Sequence, residues 1–248
     1  MAKKKNLTGD DLEDLYTWED HSQRVEYKKT IDLQNIPIKV KCLNEKQKEL
    51  KKAIEEKEIV ISIGPAGTGK TYLSLITALH LLKSQPQYRK IVLIKSVTTI
   101  PGEELGFLPG TLQEKMEPYM WSYMGNLNKI LGDRFTSKKL MESGIITIEP
   151  IAYVRGNTID NSIVIIDETQ NIDMHSFKTI ITRIGRNSKM IFLGDVEQID
   201  RKGNGSCLAR VHAGFLDSEF VGTVKFEPEE CVRNPVIPLV LKVLDKII

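Results

Sequence analysis

Apolar residues cluster in short runs along this chain, at Ile59–Ile63 and residues 91–94, 145–148, 162–166 and 190–193, with only Ser62, Thr147 and Ser162 polar among them. The runs lack the polar alternation of a half-exposed strand. They therefore read as strands buried on both faces of a parallel sheet. Between them, apolar residues return at helical spacing. Leu73, Leu75, Ile76, Leu79 and Leu82 follow the first run, and Met174, Phe177, Ile180, Ile181 and Ile184 follow the fourth. Strand and helix alternate, which predicts an α/β domain: a parallel sheet, helices on both faces and right-handed crossovers.

The remaining pattern is less regular. Residues 1–30 are polar and alternate in charge sign, as in a solubilising arm preceding one domain over 31–248. Ile36, Ile38 and Val40 alternate with Pro37, Lys39 and Lys41, a short edge strand. Asn44 stands where a helix N-cap is expected, with Gln47 three residues on as a capping-box partner. Gln47 has a second reading: its amide offers a donor and an acceptor together, as the edge of an adenine requires. Gln85, Pro86 and Gln87 end the first helix. Residues 100–110 are rich in Gly and Pro yet apolar, a packed and functional loop. A helix over 112–131 carries Tyr119, Trp121 and Tyr123, which read as core or subunit contact, with base stacking as the alternative. The tail from Cys207 holds a strand-like run at 220–224 and an apolar helix around 236–247.

Chemistry concentrates behind the first run. Gly64, Pro65, Ala66, Gly67, Thr68, Gly69, Lys70 and Thr71 spell GxxxxGK[ST] between a strand and a helix, the context a P-loop needs. Main-chain N–H groups converge on a polyphosphate only where bulky side chains are absent. The helix start adds its positive dipole end. Lys70 would reach the β- and γ-phosphates, and the Thr71 hydroxyl would hold Mg²⁺. The fourth run ends in Asp167 and Glu168, the Walker B pattern. Asp167 would hold Mg²⁺ and Glu168 would activate water, the two carboxylates pointing to opposite sides of the strand end. The fifth run ends in Gly194, Asp195, Val196, Glu197 and Gln198, where Gln198 would contact the γ-phosphate or the water. Transition-state charge needs an arginine, and Arg155, Arg183, Arg186 and Arg233 are the candidates.

Bulk properties narrow the picture further. The 248 residues suffice for one large α/β domain but not for two RecA-like domains side by side. A net charge of +2 does not announce nucleic-acid binding. Cys42, Cys207 and Cys231 are few and far apart, which points to a reducing compartment and away from a disulfide framework or structural zinc. The basic start lacks the apolar core of a signal peptide, so a cytoplasmic location is expected.

Together these residues resemble the PhoH-like ATPase family over roughly residues 36–245. The likeness rests on the P-loop, Gly106-Phe107-Leu108-Pro109-Gly110 with Glu114-Lys115, Pro118-Tyr119, Arg155-Gly156 with Thr158, Asp167-Glu168 with Gln170-Asn171, Thr182-Arg183-Ile184-Gly185, Gly194-Asp195 with Gln198-Ile199-Asp200, and Val232-Arg233. The resemblance implies a P-loop NTPase core of the RecA and superfamily-1 helicase type. It implies ATP hydrolysis with Mg²⁺, assembly into a ring (a hexamer is favoured), a role on RNA and a link to phosphate starvation. It moves Gln47 toward adenine and Arg233 toward the γ-phosphate. Family members fused to a PIN nuclease are known. This chain is similar to the short phage-type proteins without one, so no nuclease activity is expected. It departs from the family at Lys95-Ser96-Val97, where an arginine and proline are usual, and at Asn157, where a second arginine is usual. Both departures weaken polynucleotide or subunit contact rather than the ATP site. The leading expectation is an ATP-driven motor or remodeller on single-stranded RNA or DNA. The alternatives are a nucleotide-gated assembly protein with slow turnover and a P-loop small-molecule kinase.

Overall fold

The apolar runs become strands whose alternate residues fill two cores. The computed structural model describes residues 33–96, 112–154, 156–198 and 207–234, with Val236, Leu239, Val240 and Val243. Strands β1 (Ile59–Ile63), β2 (Lys90–Lys95), β3 (Ile146–Pro150), β4 (Ser162–Asp167), β5 (Lys189–Gly194) and β6 (Val221–Lys225) form one sheet in the order β3-β2-β4-β5-β1-β6. Every pairing in it is parallel. Val60, Ile91, Leu93, Ile163, Ile165, Ile191 and Leu193 face one core. Ile61, Ile63, Val92, Ile94, Val164, Ile166, Met190 and Phe192 face the other. Successive side chains of a strand point to opposite faces, so this odd–even split follows from the pleat.

Helices close both faces, as the alternation predicts. On the first lie α1 (Glu45–Glu56), α2 (Lys70–Ser84), α3 (Leu112–Leu131) and α4 (Arg134–Glu142). They contribute Leu50, Ile54, Leu73, Leu79, Tyr123, Leu127 and Leu140, all nearly free of solvent. After the short α5 (Ile151–Val154), α6 (Met174–Ile181) and α7 (Cys207–Gly214) cover the second face with Phe177, Ile180, Leu208 and Val211. Removing one such Leu or Ile to Ala would cost about 2–5 kcal/mol.

Some sequence expectations need correction. Residues 36–41 form no strand. Ile38 and Val40 do pack on the first core, and the Ile36 carbonyl accepts from Lys83 Nζ at 2.8 Å. The alternation therefore reflects side-chain burial without ladder pairing, and Pro37 lacks the N–H a ladder would use. The helix after β4 stops at Ile181, and Ile184 instead makes an isolated parallel bridge with Ile159. Helices α4 and α7 were not anticipated. Of the aromatic stripe, Tyr123 is core and donates its hydroxyl to the Ile94 carbonyl at 3.3 Å, while Trp121 is 71% exposed. The arm over 1–30, the loop over 100–110, the Tyr119 side chain, Arg155 and most of the tail helix lie outside the described residues.

Among the described residues, no helix is long and apolar enough to cross a membrane. The turn after β1 and the ends of β4 and β5 share the carboxyl edge of the sheet, where open α/β sheets bind ligands.

Candidate functional site

The turn between β1 and α2 is built for close approach. Gly64 has φ +139°, and a Cβ there would lie 2.5 Å from the Phe226 carbonyl oxygen. At Gly69, with φ +86°, a Cβ would lie 2.8 Å from Gln47 Nε2. Positive φ strains any side chain at either position, and at Gly64 a Cβ would also collide with backbone. The carbonyls of the turn are held from behind. Gly67 O accepts from Val232 N at 2.9 Å, and Thr68 O accepts from Gln47 Nε2 at 2.9 Å. The Thr68 hydroxyl donates to Pro65 O at 3.0 Å. Pro65 is buried and Ala66 exposed at the tip. With Gly67 O and Thr68 O bonded from behind, this glycine-rich turn leads directly into the start of α2, a position suited to a polyanion.

Lys70 sits at the centre of this cradle. Its ammonium donates to Gly64 O at 2.6 Å and Pro65 O at 2.8 Å, with the Thr68 hydroxyl at 3.3 Å. Burial lowers its pKa to about 8, opposed by the charges of Asp195, Asp167 and Glu168. A cation held by neutral main-chain carbonyls keeps its positive charge available to an anion arriving at the loop.

The carboxylates converge from β4 and β5. The Thr71 hydroxyl donates to Asp167 Oδ2 at 3.1 Å, joining the start of α2 to the end of β4. One strand, β5, separates β1 from β4, so their ends stand about 10 Å apart at the usual strand spacing. Burial and the neighbouring Glu168 raise the Asp167 pKa to about 6, against the Glu168 N–H, the Thr71 hydroxyl and Lys95. The folded chain thus holds this proton more tightly than the unfolded one. Its stabilising contribution is present below pH ~4 and is lost as pH rises through about 6. Asp167→Asn is therefore expected to stabilise the ligand-free protein at pH 7 by about 1–3 kcal/mol. A lower melting temperature than wild type at pH 7 would refute that account.

Glu168 is not on the strand. It follows β4 with φ 56° and ψ 37°, a left-handed conformation rare for glutamate. The two carboxylates thus separate through a backbone turn, not through pleat alternation as the sequence suggested. Glu168 Oε2 accepts from Gln170 Nε2 at 2.7 Å. Gln170 Oε1 in turn accepts from Asp195 N at 3.0 Å. A left-handed non-glycine residue at a strand end makes Glu168 a candidate functional position.

The other expected residues distribute as follows. Asn44 caps α1, its side chain accepting from Gln47 N at 2.8 Å. The Gln47 side chain accepts from Leu43 N at 2.8 Å rather than from Asn44 N, so the capping box is not formed. With Nε2 on the P-loop, both ends of its amide are in protein bonds. Gln198 is exposed just past β5, its N–H donating to Asp195 O at 3.2 Å. Arg233 is exposed next to Val232, whose N–H is bonded to the P-loop. Arg183 and Arg186 lie between α6 and the start of β5, at the amino edge of the sheet away from the cradle. The sequence reading assigned no role to Gln170 or Val232. The bonds of Gln170 Oε1 to Asp195 N and of Val232 N to Gly67 O come from tertiary proximity, which spacing along the chain does not encode.

The donor set fits Mg²⁺ bound with a nucleotide. Among the described residues no group of three His, Cys, Asp or Glu could hold a metal alone. Mg²⁺ in such sites takes one or two protein oxygens and completes its shell with phosphates and water. The Thr71 hydroxyl and the Asp167 carboxylate, already 3.1 Å apart, would supply the two.

Comparison with known proteins finds relatives over most of the chain. The family described as PhoH-like protein matches residues 39–245. A "PhoH-like protein" of Bacillus subtilis (strain 168) is 41% identical over 210 residues, covering 84% of this chain and 64% of that relative. "Protein PhoH" of Escherichia coli (strain K12) is 38% identical over 193 residues, covering 77% of this chain and 54% of that protein. The chain thus spans between about half and two thirds of the length of these curated relatives. Among solved structures, a large terminase from a thermophilic bacteriophage aligns over 82% of this chain and 50% of its own, with TM-score 0.49 and 10% identity.

Proposed function

This chain belongs to the PhoH-like protein family, and we propose that it binds and hydrolyses ATP with Mg²⁺ at the cradle between β1 and the end of β4. The observation that carries the reading is the Thr71–Asp167 contact beside Lys70, which joins the P-loop to the acid pair in one site. The main-chain N–H groups and Lys70 would bind the phosphates. Mg²⁺, held by Thr71 and Asp167, would supply positive charge to the β- and γ-phosphate oxygens. Glu168 would take a proton from the attacking water. Gln198, on the adjacent strand end, would face the γ-phosphate or that water. Gln47, at the back of the loop, would reach adenine by exchanging its bond to Leu43 N. Arg233, tethered next to the P-loop through Val232, would meet the transition-state charge. In a homo-oligomeric ring, hexameric by family likeness, a neighbour's arginine would complete the site.

The turnover is proposed to drive a motor or remodeller on single-stranded RNA or DNA in the cytoplasm. The family resemblance supports this extension. The test is ATPase rate with and without single-stranded RNA and DNA over a salt series. The motor reading expects a polynucleotide to raise the rate several-fold, the effect fading as salt rises because phosphate contacts release counterions. Slow turnover indifferent to any polynucleotide would contradict it and favour a nucleotide-gated assembly protein. Phosphate transfer to a small-molecule acceptor with negligible hydrolysis would favour a kinase.

A further inference from the structure

Gln170 is 2% exposed and bridges two strand ends. Its Nε2 donates to Glu168 Oε2 at 2.7 Å, and its Oε1 accepts from the Asp195 N–H at 3.0 Å. The peptide on which Asp195 sits also touches the P-loop, because Gly64 N donates to Gly194 O at 3.2 Å. Space for the amide is made by a missing side chain. A Cβ on Gly194 would lie 2.7 Å from Gln170 Oε1 and 2.5 Å from Leu208 Cδ2. An unbroken set of hydrogen bonds thus runs from the phosphate cradle through the end of β5 to the carboxylate after β4.

We propose that Gln170 is a positioning residue that orients the Glu168 carboxylate and ties it to the P-loop through the Gly194–Asp195 peptide. The inference rests on the ATPase reading for its consequence in turnover, though the linkage itself does not. One oxygen of Glu168 is committed to the Gln170 amide, so the other is aimed by it. A shift of the cradle on nucleotide binding moves the Gly194–Asp195 peptide and, through Gln170, the base. A side chain with one donor and one acceptor at its tip is required here, and of the common side chains of this length glutamine alone provides both.

The test separates linkage from chemistry. Gln170→Glu keeps an acceptor for the Asp195 N–H but puts a carboxylate where the donor to Glu168 stood. It is expected to lower kcat about tenfold or more and leave KM for ATP within about threefold, since orientation and not binding is lost. In a Glu168→Gln background the same change should alter turnover by less than about twofold, because residues acting through one another are not additive. Wild-type kcat in Gln170→Glu, or an undiminished effect in the second background, would overturn the proposal. Independently of hydrolysis, the Asp195 amide resonance in a ¹H–¹⁵N spectrum should move on Glu168→Ala and stay still on the same change in a Gln170→Met chain. An Asp195 resonance indifferent to Glu168→Ala would overturn the linkage. A wild-type chain without ATPase activity would instead count against the proposed function, and the spectra would still decide the linkage.

Discussion

Glu168→Gln is expected to cut ATP turnover by about 10²–10⁴-fold, the usual contribution of a positioned general base. Nucleotide binding should survive. The carboxylate carries no assigned contact to the phosphates, and an amide at 168 still offers an oxygen to Gln170 Nε2, which the native Glu168 accepts from at 2.7 Å. Glu168 holds a left-handed backbone at φ 56°, and glutamine is no more strained there than glutamate. The variant should therefore retain Mg·ATP in a stable complex, seen as nucleotide co-eluting with the protein. Turnover unchanged from wild type would mean that another group activates the water.

Lys70→Ala is expected to abolish turnover and weaken ATP binding by at least about tenfold, as hydrogen bonds from a charged donor contribute ~1.5–3 kcal/mol each. The native ammonium bridges Gly64 O and Pro65 O, so the variant also leaves those carbonyls without that donor. The pH dependence gives a sharper check. Burial holds Lys70 at about 8 in the free protein. Bound phosphates would favour the charged form and raise that value, so binding takes up a proton above pH ~8. ATP affinity should then fall by up to about tenfold per pH unit above pH ~8 in the wild type. Lys70→Ala should lose that slope. A slope that persists in the variant would place the titrating group elsewhere.

Strand positions and the phosphate loop were legible in the sequence because they depend on local order. A short, mostly apolar run specifies a two-sided strand, and GxxxxGK[ST] specifies a turn whose positive φ at Gly64 and Gly69 favours glycine. Helices α4 and α7, nine and eight residues, carry only Phe135, Leu140 and Met141 or Cys207, Leu208 and Val211 as larger apolar residues, a sparser stripe than the Met174, Phe177, Ile180 and Ile181 of the equally short α6. For α4 the best available signal is Asp133, which caps it by accepting from Thr136 N at 2.6 Å. Alternation at Ile36, Ile38 and Val40 reported burial correctly and pairing wrongly, since burial needs only a neighbour whereas a strand needs a free sheet edge. The conformation of Glu168 and the bridge through Gln170 were not legible either. Both arise where the ends of β4 and β5 meet, and those ends belong to segments more than twenty residues apart in sequence.

The central claim is that one Mg·ATP per chain sits between the P-loop and Asp167. The measurement that tests it most directly is a calorimetric titration of the Glu168→Gln chain with ATP, in Mg²⁺ and in EDTA. The account predicts one site per chain in Mg²⁺, at least about tenfold weaker binding in EDTA, and no Mg²⁺ advantage once Asp167→Asn is added. Binding that ignores both the metal and Asp167, or no binding at all, would contradict it.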